Sequence, residues 1–275
     1  MGKVQIIVTG ATGSMGSEAV RALVQKGHSV IMACRNMEKG EVVRNKLLEE
    51  NPAADLELRQ VDLASLKSVS MFVETLKDQG VALSGLFNNA GAMNRHYGLT
   101  IDGFERTMAV NYLAPYLLTR RLIPLFASGA HVVNMVSLTC RLAHVHRDFF
   151  EKGEKDFRQL GTYGDSKLAL LLFTIALSRE VDFHVNMADP GVVNSGMLHL
   201  DRWYDGLADV LFRPFCKSPQ KGVVPAVKAL TTSENLHFFN GERCRKVPKK
   251  YLTNSNIEWL WETTENILKE KGFFY

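Results

Sequence analysis

Tyr163 and Lys167 stand four residues apart in Tyr163-Gly164-Asp165-Ser166-Lys167. The run from Lys167 to Leu177 behind them is made of strong helix formers with no breaker. On a helix that spacing places the two side chains on one face, one turn apart. An ammonium beside a phenol favours the phenolate, so the pair predicts a Tyr163 pKa below its ordinary value of about 10. Such a tyrosine is a proton donor suited to carbonyl–alcohol chemistry. Ordinary helix faces carry the same pair, so the chemical reading depends on what accompanies it.

A second constellation lies near the start. Val4 to Val8 reads as a buried strand and is followed by Thr9-Gly10-Ala11-Thr12-Gly13-Ser14-Met15-Gly16, then by an amphipathic helix that Gly27 closes. Glycines between a strand and a helix permit a tight turn and let backbone approach a pyrophosphate, which the helix N-terminus attracts. Gly10, Thr12, Gly13, Ser14, Met15 and Gly16 are therefore a candidate dinucleotide cradle, with a plain glycine-rich turn as the structural alternative. The G-x-x-G-x-x-G spacing does not say which dinucleotide, but the end of the second strand does. Met32-Ala33-Cys34-Arg35-Asn36 offers no acid before Glu38, whereas an NAD site places an acid there for the ribose 2′-hydroxyl. Arg35, with Asn36 beside it, can hold a 2′-phosphate through a charge-assisted fork, which favours NADP(H) over NAD. A loop arginine at the surface is the alternative.

Strand-like and helix-like segments alternate along the chain. Strands are expected over 28–33, 56–61, 83–87, 131–136 and 184–188. Helices are expected over 38–50, from Ser65 or Lys67 to Gln79, over 103–126, and through the Tyr163 segment, with Pro115 predicting a distortion in the fourth. This alternation implies a parallel, doubly wound sheet with helices on both faces, a Rossmann-type α/β fold. At 275 residues, with no repeat or linker, the chain reads as a single domain.

Taken together, these residues resemble the short-chain dehydrogenase/reductase family over nearly the whole length. The matching pieces are the glycine motif, Asp62-Leu63, Asn88-Asn89-Ala90-Gly91, Asn111, Ser137, Tyr163-x-x-x-Lys167 and Pro190-Gly191-Val192. Within the family the chain is most similar to retinol dehydrogenase-like reductases, through the stretches 33–36, 102–113 and 212–222. The resemblance implies that Tyr163 is the general acid for carbonyl reduction and the base for the reverse reaction. It implies that Lys167 lowers the Tyr163 pKa and bonds the nicotinamide ribose, that Ser137 holds the substrate oxygen, and that Asn111 anchors a proton-relaying water. On the cofactor side it gives Asp62, with Leu63 beside it, to the adenine, and Asn89, Ala90 and Gly91 to the adenosine ribose. Pro190, Gly191, Val192 and Ser195 would hold the nicotinamide end.

Ser137 and Tyr163 are 26 positions apart. The insert over 138–162 is expected to form a flap beside the substrate, with His144 and His146 as surface histidines or substrate contacts. Ser166 is a poor rival to Ser137, because it lies within the helix. Residues 196–217, rich in Met, Leu, Trp, Tyr and Phe, read as a lid over an apolar substrate. Membrane-bound retinoid enzymes of the group carry an N-terminal anchor that is not seen here, so no retinoid is singled out among lipophilic substrates.

Composition fits this picture. Hydrophobic residues make up 46% and charged residues 23%, ordinary for a globular protein, and the net charge of +4 suggests no nucleic-acid partner. Arg243, Arg245, Lys246, Lys249 and Lys250 read as a solvated basic surface. Cys34, Cys140, Cys216 and Cys244 form no C-x-x-C pair and argue for free thiols rather than a metal site. The longest apolar run, 168–177, is too short to span a bilayer, and no leader is visible. The expectation is a soluble, cytoplasmic chain acting on a lipophilic small molecule, with a homo-oligomer left open. A non-catalytic, cofactor-sensing or scaffold protein of the same fold is the competing class, since fold alone does not fix activity.

Overall fold

The computed structural model describes residues 4–193 and 216–274. Strands β1 (Val4–Thr9), β2 (Ser29–Cys34), β3 (Leu56–Gln60), β4 (Ala82–Asn88), β5 (Phe126–Met135), β6 (His184–Asp189), β7 (His237–Asn240) and β8 (Arg243–Lys246) form one sheet. Its order is β3-β2-β1-β4-β5-β6-β7-β8, parallel throughout except for the antiparallel β7–β8 pair. The main helices are α1 (Ser14–Gln25), α2 (Met37–Glu50), α3 (Leu66–Asp78), α4 (Ala114–Leu122), α5 (Gln159–Glu180), α6 (Pro219–Ala229) and α7 (Asn256–Glu270). This is the doubly wound α/β fold that the alternating segments imply.

Successive β1 residues serve opposite sides, because side chains alternate along a strand. Ile7 joins a core with α3, α4 and α5, whereas Ile6 and Val8 join one with α1 and α6. Helices on both faces explain why five of six residues in β1 and β2 are buried without alternation. Asn36 and Ser65 begin α2 and α3 by accepting from the N–H groups of Lys39 and Ser68.

Three departures from the expected elements have physical causes. The fourth helix is broken into Arg106–Met108, a wider π-type turn over Ala109–Leu113, and α4. Pro115 has no N–H to continue the regular ladder, so the distortion falls just before it. β5 starts five residues early, its register with β4 slipping around Gly129 at φ +73°. Beyond β6 the chain adds α6, β7, β8 and α7. The edge strand β8 is exposed along its length, and Arg243, Arg245 and Lys246 give it the charge that discourages edge pairing.

Helix α7 covers the outer side of α4 and α5. Trp261 stacks on Phe173 at 5.9 Å and lies under the Arg120 guanidinium at 4.5 Å, and Tyr112 Oη shares a 2.7 Å hydrogen bond with Thr264 Oγ1. α5 is the one helix among the described residues long and apolar enough to cross a membrane, and it is a core helix here.

Candidate active site

The site begins where β1 ends. Thr9 Oγ1 accepts from the backbone N–H groups of Asn89 and Ala90 at 3.1 Å each, and Asn89 Nδ2 donates to Thr9 O at 2.8 Å. Thr9 thus fastens the glycine loop to the turn after β4. Gly10 adopts φ +63°, a left-handed conformation that disfavours side chains. A Cβ on Gly16 would lie 2.1 Å from Gly10 O, so only glycine lets α1 start flush against the loop. α1 has no side-chain cap and no acid in its first turn. Its opening N–H groups are left for an anion, and the cradle fits a dinucleotide pyrophosphate.

A cavity of about 470 Å³ runs from this loop to α5. Gly10, residues 12–16, residues 89–91, Ser137, Tyr163, Lys167 and residues 190–192 line it. The fold therefore brings together residues that the sequence separates by up to 182 positions. Arg35, Asn36, Asp62, Leu63 and Asn111 lie outside that wall, and Ser195 lies outside the described residues.

The Tyr163–Lys167 pair differs electrostatically from expectation. Tyr163 as a whole is half-buried, but its hydroxyl is enclosed, and burial pushes it up to about 12. The hydrogen bond from Ser137 opposes this rise, and the charge of Asp189 adds to it. Lys167 is itself pushed down to about 8 by burial, and its Nζ donates to Met135 O at 2.8 Å. Nζ sits 5.8 Å from the centroid of the Tyr163 ring. The expected lowering of Tyr163 is thus overturned in the protein alone: desolvation is the largest influence on the hydroxyl and it raises the pKa. At neutral pH the phenol carries its proton.

Asn111 sits fully buried in the π-type turn. Its Nδ2 donates to Ala92 O at 2.8 Å and to Ser166 Oγ at 3.0 Å, and its Oδ1 accepts from Ala92 N at 2.7 Å. Both amide donors are used, so the side chain clamps the segment after β4 against α5. Ser166 also donates to Tyr163 O at 2.7 Å, a structural role consistent with its place inside the helix. Asn36 uses Oδ1 to cap α2, accepting from Lys39 N at 2.8 Å. Asp62 Oδ1 accepts from Ala64 N at 2.9 Å, shaping the turn into α3, and Leu63 is core. Arg35 is exposed at the end of β2 and forms no ion pair with the described residues.

Residues 4–203 match the family model of the short chain dehydrogenases. The chain belongs to the short-chain dehydrogenase family. This short-chain dehydrogenase is 33% identical over 288 residues to a WW domain-containing oxidoreductase of Gallus gallus, covering 98% of this chain and 69% of that one. It is 34% identical over 273 residues to retinol dehydrogenase 11 of Homo sapiens, covering 96% and 81%. Among solved structures, an uncharacterised protein of Mycobacterium paratuberculosis superposes with a TM-score of 0.77 at 26% identity, covering 97% and 93%. A short chain dehydrogenase of Shigella flexneri complexed with NADP shares the fold, with a TM-score of 0.67 at 19% identity, covering 88% and 98%. The retinol dehydrogenase-like resemblance thus holds, and the chain is an oxidoreductase of that family.

The short-chain dehydrogenase cavity also contains residues that motif reading passes over: Met93, Met135, Val136, Leu138, Thr139, Leu160, Asp189 and Val193. Most flank a matched motif, and that adjacency was the available signal. Leu138, Thr139 and Leu160 come from the insert over 138–162. The insert is anchored by buried Phe149, by Phe150 stacked on Tyr112 at 6.2 Å, and by the Lys152–Asp165 ion pair at 3.1 Å. His144 and His146 are exposed and absent from the cavity wall. All four cysteines are free thiols.

Proposed function

We propose that this short-chain dehydrogenase is an NADP(H)-dependent oxidoreductase interconverting a carbonyl and an alcohol on a lipophilic small molecule. One observation carries the reading. A single cavity is lined by the glycine cradle, by Ser137, Tyr163 and Lys167, and by Met93, Met135, Val136, Leu138 and Leu160. Relatives named for retinol, at 34% and 31% identity, are consistent with an apolar substrate.

In this reading the α1 N-terminus and glycine loop hold the pyrophosphate, Arg35 the 2′-phosphate, Lys167 the nicotinamide ribose, and residues 190–192 with Ser195 the nicotinamide end. Bound there, a reduced nicotinamide supplies the hydride. Ser137 orients the substrate oxygen. Tyr163, protonated at neutral pH as an ordinary phenol is and more firmly so for being desolvated, delivers the proton to that oxygen. In the reverse direction Tyr163 accepts the alcohol proton, so oxidation gains rate towards alkaline pH. The anchored insert gives the substrate a fixed apolar wall.

The test is cofactor absorbance with a panel of aldehydes, ketones and steroids, in the parent and in Tyr163→Phe. Removing the proton donor lowers kcat by about 10² or more while cofactor affinity is largely kept. Near-parent turnover in Tyr163→Phe sinks the assignment. Tight cofactor binding with no turnover on any substrate returns the non-catalytic class.

A further inference from the structure

Asp189 is the one acid in the cavity wall among the described residues, and no family motif assigned it a role. The sheet register fixes its place. Ala188 pairs with Met135, and Val136 N donates to Ala188 O at 2.9 Å, which sets Asp189 beside the Val136–Ser137 step of β5. Ser137 in turn hydrogen-bonds Tyr163. The Asp189 side chain is 1% exposed. Oδ1 accepts from Gly191 N at 2.9 Å and Oδ2 accepts from Asn240 Nδ2 at 3.1 Å. Both oxygens act as acceptors, the pattern of an ionised carboxylate, and protonation would give up one of these donors.

We propose that Asp189 is a positioning residue of the reaction site, whose carboxylate fixes the Pro190–Gly191 turn and whose charge keeps the proton on Tyr163. This rests on the reading of Tyr163 as proton donor. Among the described residues, Ser137 at the end of β5 and Asp189 at the end of β6 act on the Tyr163 hydroxyl, while Lys167 on its own helix stands with Nζ 5.8 Å from the ring centroid. Around Asp189 stand Asn240 on β7, Lys217 before α6, and Arg141 and Cys140 in the turn after Ser137. Lys217 Nζ donates to Pro190 O at 3.3 Å instead of joining the carboxylate. Among the described residues the negative charge is therefore not cancelled by a direct ion pair, and it opposes a second negative charge on the phenol oxygen. Asp189 and the Tyr163 hydroxyl are both buried, so the repulsion is weakly screened.

Three variants separate charge from scaffolding. Asp189→Asn removes the charge and keeps an oxygen for Gly191 N. Asn240→Ala keeps the charge and cuts the link to β7. Tyr163→Phe, made in each background, isolates the Tyr163 phenolate absorbance as a difference during a pH titration. In Asp189→Asn the Tyr163 midpoint, and the matching limb of the kcat/KM profile, should move to lower pH by about half a unit to one unit, a three- to tenfold gain in phenolate fraction. In Asn240→Ala it should stay where it is in the parent. An unmoved midpoint in Asp189→Asn, or an equal move in Asn240→Ala, overturns the proposal. If Asp189→Asn does not fold, Asp189→Ser carries the same expectation. Failure of the catalytic reading is separate: Tyr163→Phe would then turn over normally, while the absorbance titration still decides the role of Asp189.

Discussion

Replacing Gly16 with alanine adds one methyl group where the chain has no room for it. The new carbon would stand 2.1 Å from Gly10 O, 2.8 Å from Gly10 C and 2.9 Å from Ala11 Cα. Comfortable contact needs roughly 3.5 Å, so α1 or the loop must retreat by more than an ångström. All three neighbours are backbone atoms, and no rotamer change relieves the overlap. Overpacking of this kind costs about 1–3 kcal/mol, which lowers Tm by about 2–10 °C in a chain of this size. The larger effect falls on the cradle, because misplacing binding groups by about 1 Å can cost on the order of 10²-fold. Gly13→Ala is the comparison: its Cβ meets only Gly10 O, at 3.3 Å, so its effect should be far smaller. NADPH fluorescence titration gives the affinities and calorimetry gives Tm. The reasoning fails if Gly16→Ala binds NADPH within about threefold of the parent, because misplaced cradle groups were expected to cost on the order of 10²-fold.

Arg35→Asp should invert cofactor preference, because a charge-assisted bond to the 2′-phosphate contributes roughly 1.5–3 kcal/mol, or about ten- to over a hundredfold. The ratio of kcat/KM for NADPH over NADH is the measurement, and an unchanged ratio makes Arg35 an ordinary surface arginine. His131, stacked on His184 at 4.8 Å, is pushed down to about 4 by burial, with His184 and His28 adding to the effect. The folded state refuses a proton that the unfolded chain accepts below about 6.5, so stability is complete above that pH and declines as pH falls from there towards about 4. His131→Phe should lose less Tm between neutral pH and about pH 5 than the parent does, and an equal loss would rule this origin out.

The sheet and the cradle were legible because they rest on local signals. Buried apolar runs, the glycines and the Tyr–Lys spacing each occupy a few consecutive positions. The β7–β8 hairpin and α7 were not foreseen: β7 is four residues long and β8 is polar throughout, so neither has an apolar period to read. The direction of the Tyr163 shift was misjudged for a different reason. Sequence spacing reveals the neighbouring ammonium but not the enclosure of the hydroxyl, and enclosure is the larger effect. Asn111 was singled out as anchoring a water, whereas its partners Ala92 and Ser166 and its clamping role depend on contacts between segments up to 55 positions apart. Asp189 escaped notice because an acid after an apolar strand looks like a turn residue until the sheet sets it beside Ser137. The lid over 196–217 falls, except for Cys216 and Lys217, outside the described residues.

Trp261, Leu260 and Thr264 seal the outer side of α4 and α5, yet they emerge from the ribosome about a hundred residues after Tyr163 and Lys167. Until then the helix bearing those two residues keeps its outward apolar face bare. A nascent chain at that stage holds the glycine cradle and β1 to β6 but lacks the cover over Phe173 and Tyr116. Helix α7, synthesised well after α5, therefore completes the support behind it. Ribosome stalling or proteolysis before α7 leaves a sticky species that chaperones and proteases can recognise, so the synthesis of α7 and the integrity of the candidate site are tied together.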